Sequence, residues 1–143
     1  KEGEYIGKQI ARDVAGPSVV KRMEMAIDIG LGTGTSKEKM VEIGHRIGAG
    51  LHVAEAIPSA FGIFAAYNGD AMGSIIGAVN VGYDTDTVAT MSGALAGALN
   101  GADSYPVHFL PTLEKANNLE IEKLAKDLTK LAKKRFEAGK ENQ

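Results

Sequence analysis

The sequence predicts an all-α fold, and three observations carry that expectation. Apolar residues recur with a helical period in nearly every segment, and no run shows the strict alternation of a half-buried strand. Glycine is abundant, 18 of 143 residues, against a usual share of about 7%. Most of these glycines stand inside apolar, alanine-rich stretches, where they favour close helix packing over flexible coil.

The elements follow in chain order. Ile6, Ile10 and Val14 mark a helix over residues 4 to 14. Pro17 suits a first helical position, and Val19, Val20, Met23 and Ile27 mark a second helix. Gly30-Leu31-Gly32-Thr33-Gly34 breaks it. Thr35 and Glu38 form a capping box, in which hydroxyl and carboxylate each satisfy an orphan backbone donor. A third helix follows, with Met40, Ile43, Ile47 and Leu51 on one face. Residues 53 to 67 predict an apolar helix, with Pro58 near its first turn or at a kink. Asn68-Gly69-Asp70 is a turn signal, and a short helix covers about 71 to 80. Another runs from about Thr87 to Leu99, with Val88, Met91, Leu95 and Leu99 as its stripe. Gly93 and Gly97 share a face that lets a neighbouring helix approach, so this helix is expected to be buried. The last helix carries Ile121, Leu124, Ala125, Leu128, Leu131 and Ala132 at amphipathic spacing. Lys133, Lys134 and Arg135 suit its negative C-terminal end, and Gly139 suits a stop just beyond.

Length and composition narrow the classes. At 143 residues, 44% hydrophobic and 24% charged, the chain fits one ordinary globular domain rather than a disordered segment. The net charge of −2, with neither half strongly basic, argues against nucleic acid as a partner. The lack of cysteine excludes disulfides and thiolate ligands or nucleophiles; it suits a reducing cytoplasm, the expected compartment. No apolar run approaches the roughly 20 residues that span a bilayer, and no signal peptide is read at the start. Lys1 stands where no cap precedes the first helical pattern, so we expect residues 1 to 143 to be the C-terminal portion of a longer protein.

The sharpest constellation is Gly82-Tyr83-Asp84-Thr85-Asp86-Thr87, just before the helix rich in small residues. Magnesium and manganese prefer carboxylate and hydroxyl oxygens. Two aspartates and a threonine can converge where the chain has not yet entered regular helix. The plainer reading makes one of them an N-cap, which accounts for one or two of the four oxygen-bearing side chains in succession. A helix N-terminus also repels a cation, a cost the carboxylates must overcome.

The run from Asn80 to Gly101, with its Gly-x-Asp-Thr-Asp-Thr turn and Gly-Ala-Leu-Ala-Gly-Ala helix, resembles the C-terminal motif of the ADP-ribosylglycohydrolases, of the dinitrogenase reductase-activating glycohydrolase type. Ile47-Gly48-Ala49-Gly50-Leu51, continuing to Glu55-Ala56-Ile57-Pro58-Ser59-Ala60, resembles that family's preceding segment at matching spacing. The likeness covers about residues 36 to 106. It implies an all-helical enzyme with two divalent cations, Mg2+ or Mn2+, that cleaves the glycosidic bond joining ADP-ribose to a protein side chain or another acceptor. By position, it implies that Asp84, Asp86 and Thr87 are metal ligands and that Gly48, Gly50 and Leu51 line the pocket for ADP-ribose. Ala49 stands where a polar residue is common, and Tyr83 where a second glycine is common. The family's other metal cluster, a Thr-Asp-Asp stretch, has no match here, so an N-terminal segment of the same protein is the expected partner. The catalytic acid or base is not assigned.

Other signals are weaker. The glycines of 30 to 34 lack the flanking strand of a dinucleotide fingerprint and read as a helix connection. His45, His52 and His108 fit no metal box; of these, His52 adjoins the expected pocket. Glu55 is close enough in sequence to reach the site but reads better as a packing or surface residue, and the lysines of 123 to 135 read as a solvated face. Three functions follow: hydrolysis of ADP-ribosyl bonds, a structural crystallin-like role on the same fold, and hydrolysis of another ribosyl or glycosyl compound. Retention of Asp84, Asp86 and Thr87 favours an enzyme.

Overall fold

A computed structural model describes residues 16 to 140. The helix expected over 4 to 14 lies outside the described residues. Among those described there are seven α-helices and no strand, so the all-α expectation holds. The chain divides into two compact units, residues 1–105 and 106–143.

In the first unit, α1 (Val19–Leu31), α2 (Ser36–Arg46), α3 (Val53–Ala66), α4 (Ala71–Asn80) and α5 (Thr85–Asn100) pack around α3. Each start has a local cause. Ser18 caps α1 by accepting from the Lys21 amide. Thr35 and Glu38 form the expected capping box at α2. Two hydrogen bonds from Thr35, backbone first and hydroxyl second, hold the Glu38 carboxyl below its ordinary value. His52 caps α3 through Nδ1, and Asp70 caps α4 through the Gly73 amide at 2.6 Å.

α3 contributes the inner core: Ala54, Ala56, Ala60, Ile63 and Ala66 are buried, joined by Ala26, Met40, Ile43, Ala78 and Val88 from the helices around it and by Ile47 just past the end of α2. Burying an isoleucine or valine side chain contributes about 1.5–3 kcal/mol. Small residues set the spacing. A Cβ on Gly30 would lie 2.4 Å from the Gly62 carbonyl oxygen, and one on Gly62 would lie 2.7 Å from that of Ala26. α1 and α3 therefore touch backbone to backbone. Ser92 ties α5 to α3 by donating to the Ala60 carbonyl at 3.0 Å.

Three expectations need correction. Leu51 does not share the face of Met40, Ile43 and Ile47: α2 ends at Arg46, Gly48 turns the chain at φ 82°, and Leu51 is 89% exposed. Pro58 lies inside α3, past its first turn, so the Ala54 carbonyl lacks the usual donor four residues on. α5 starts at Thr85, not Thr87, and buries one face only. Val88, Ser92 and Ala96 are inside, and Leu99 is 65% exposed. Its glycines admit side chains rather than a neighbouring backbone. Ile75 packs at Gly93 and the Tyr105 ring at Gly97, and the Tyr105 hydroxyl donates to the Gly93 carbonyl at 2.5 Å. Burial pushes the Tyr105 phenol above its ordinary value. Finally, Gly139 does not stop the last helix, which runs to Lys140.

The second unit holds α6 (Phe109–Asn117) and α7 (Ile121–Lys140). α6 was not anticipated. It closes on Asn118 in the left-handed region at φ 52°. Glu114 then accepts from the Ile121 amide at 2.7 Å and caps α7. Lys126 pairs with Glu122 one turn back on the exposed surface of α7.

Candidate functional site

The segment between α2 and α3 is held at four consecutive residues. The Ile47 carbonyl accepts from the Arg22 guanidinium, and the Gly48 carbonyl from the Ser59 hydroxyl. The Ala49 carbonyl accepts from the Asp84 amide at 2.9 Å. The Gly50 amide donates to Glu55 Oε2 at 3.0 Å. These tethers bind the loop to α1, to α3 and to Asp84. Gly48 takes φ 82° in it, where a side chain would be strained, and a Cβ there would also meet Glu55 Oε2 at 2.8 Å.

The bond between Ala49 and Asp84 joins the two motifs singled out in the sequence. Residues 80 to 84 leave α4 through Val81, then turn through Gly82 at φ 94° and Tyr83 at φ 61°. Asp84 is the N-cap of α5, with Thr85, Asp86 and Thr87 as its first turn. The Asp84 carboxylate makes no capping hydrogen bond, which is unusual for aspartate at this position. It is half-buried, while Asp86 and Thr87 are exposed. Asp84 and Thr87 stand three residues apart and share one side of the first turn. Because Asp86 and Thr87 are already helical, three oxygen-bearing side chains are presented from the open end of a helix rather than from an irregular loop. Among the described residues no group of three or more histidine, cysteine, aspartate or glutamate side chains could hold a metal ion.

The Gly48–Leu51 segment has its own internal partners. The amides of Gly48 and Gly50 are both engaged internally, the first with the Ile43 carbonyl at 3.3 Å and the second with Glu55. Leu51 points away from the core, 89% exposed. Glu55, read from sequence as a packing or surface residue, anchors the loop instead. Its position in the first turn of α3 was the available signal, since a carboxylate there returns to an upstream amide. His52 serves as a helix cap, its Nδ1 accepting from the Ala54 amide.

Compared with protein families, residues 4–138 match the model of the ADP-ribosylglycohydrolase family. The chain belongs to this family. It is 28% identical over 121 residues to the uncharacterized protein YegU of Escherichia coli (strain K12), an overlap of 82% of this chain and 35% of that protein. It is 31% identical over 104 residues to the ADP-ribosylhydrolase ARH3 of Homo sapiens, covering 65% of this chain and 28% of that protein. The chain thus spans about a third of the length of these two relatives. No solved structure matches it. Among the described residues no helix is long and apolar enough to cross a membrane.

Proposed function

We propose that the protein is a metal-dependent hydrolase that cleaves the N- or O-glycosidic bond of ADP-ribosylated substrates. In this reading Asp84, Asp86 and Thr87 supply part of a site for two divalent cations, Mg2+ or Mn2+. The observation that carries it is the hydrogen bond from the Asp84 amide to the Ala49 carbonyl. It brings an oxygen-rich helix start beside a tethered glycine loop, within a chain of the ADP-ribosylglycohydrolase family.

The residues fit such ions. Hard divalent cations take carboxylate and hydroxyl oxygens, and the Asp84 carboxylate is not spent on capping its own helix. Asp86 and Thr87 are exposed beside it. Bound there, divalent cations supply Lewis acidity at the oxygens of the ribosyl group. The chain's own groups hold and orient. Asp84, Asp86 and Thr87 fix the ligand oxygens from one rigid helix end, while Gly48, Gly50 and Leu51 form the adjoining wall for ADP-ribose. With their amides engaged, the two glycines contribute shape, and exposed Leu51 contributes apolar surface. Further ligands come from outside the described residues, because a dinuclear site needs more groups than these three.

The test is a release assay on ADP-ribosylated protein with Mg2+ or Mn2+. The complete protein should release ADP-ribose, and residues 1 to 143 alone should not, since misplacing catalytic groups costs about 100-fold per ångström. Robust turnover by these 143 residues alone would overturn the shared-site reading. No turnover by the complete protein in either metal, across arginine-linked and serine-linked substrates, would overturn the hydrolase reading.

A further inference from the structure

We propose that Glu55 is a positioning residue whose carboxylate sets the Gly48–Gly50 loop and, through Ala49, the turn at Asp84. The proposal rests on the reading of Asp84 and Asp86 as metal ligands. Glu55 is the third residue of α3, where a capping-box carboxylate would return to the amide of the N-cap. It reaches further, to the Gly50 amide two residues upstream of that cap. Both glycines make room for it: a Cβ on either Gly48 or Gly50 would come within 2.8 Å of Glu55 Oε2. Between them, the Ala49 carbonyl receives the Asp84 amide. A displacement of the carboxylate therefore moves the residue whose carbonyl receives the Asp84 amide. The positive end of the α3 dipole favours a carboxylate in this first turn.

A competing role has the opposite sign. Backbone amides beside a helix start bind anions, so Glu55 could merely occupy the donor that a substrate phosphate would use. Removing it would then tighten ADP-ribose binding. As a positioning residue, its removal weakens ADP-ribose and metal binding together.

The experiment compares Glu55→Ala, Glu55→Gln and Gly50→Ala with the unaltered complete protein. Amide hydrogen exchange at Asp84, Mn2+ affinity and ADP-ribose affinity are the readouts. Glu55→Ala should speed exchange at Asp84 and weaken Mn2+ binding about 10–100-fold, the usual cost of losing a group that orients a ligand. Gly50→Ala, whose added Cβ displaces the carboxylate, should move all three readouts the same way. It tests the proposal even if Glu55→Ala fails to fold. Glu55→Gln keeps an acceptor oxygen and should restore values close to the unaltered protein, which general loss of stability would not do. Unchanged Asp84 exchange in Glu55→Ala and Gly50→Ala, or tighter ADP-ribose binding in either, overturns the proposal. Failure of the metal reading shows separately, as no Mn2+ uptake by the unaltered protein, while exchange at Asp84 still decides whether Glu55 sets the turn.

Discussion

Tyr83 holds φ 61° with 83% of its surface exposed, a conformation that costs a bulky residue about 1–3 kcal/mol. The hydrogen bond of the next amide, Asp84 to Ala49, keeps it there. Glycine adopts this region freely, so Tyr83→Gly should raise stability, by up to about 1 kcal/mol after the entropy gained by the unfolded chain is counted. Urea unfolding of the two proteins measures it, and a loss of stability would mean that the phenol ring makes a compensating contact. The strain was not legible in the sequence, because it arises from a long-range backbone bond. The oxygen-rich run beside it was legible, since its chemistry is local. Glu55 was half-legible: its place in a helix first turn could be read, its reach to Gly50 could not.

At the scale of elements, α1 and α3 meet through Gly30, Gly62 and Ala26. Gly30→Ala forces a methyl against the Gly62 carbonyl and should cost about 1–3 kcal/mol, the usual range for overpacking. A thermal melt no lower than that of the unaltered protein would show that the two helices can part at no cost. The start of α2 answers to pH. Its Glu38 carboxyl lies below the ordinary value of 4.5 in the folded chain. Its contribution is therefore present above pH 4.5 and lost as pH falls through the lower folded value. Replacing Glu38 by Gln should flatten that part of the acid unfolding profile, and an unaltered slope would exclude the box as its source. The capping box, the turn at Asn68-Gly69-Asp70 and the helices over 19 to 31 and 71 to 80 follow from local pattern. The end of α2 does not. The apolar period continues through Leu51, and only the tethers on residues 47 to 50 show why the chain leaves the helix early. α6 was not legible because it is short, nine residues, too brief for an apolar period to establish itself.

For the whole molecule, the all-α class was legible because helical periodicity persists along the chain. The juxtaposition of the Gly48–Leu51 loop and the Asp84 turn was not. It depends on a backbone bond across 35 positions that no spacing rule contains. That juxtaposition, in a member of the ADP-ribosylglycohydrolase family, is what turns a plausible helix cap into a candidate metal centre. The central claim is that Asp84 and Asp86 hold divalent metal. Calorimetric titration of Mn2+ into the complete protein and into Asp84→Ala and Asp86→Ala tests it most directly. Each substitution should weaken binding by more than the roughly 10–100-fold lost with an outer-shell partner, and Thr87→Ala should weaken it less, because a neutral hydroxyl contributes less than a carboxylate. Unchanged Mn2+ affinity in both aspartate variants would contradict the assignment.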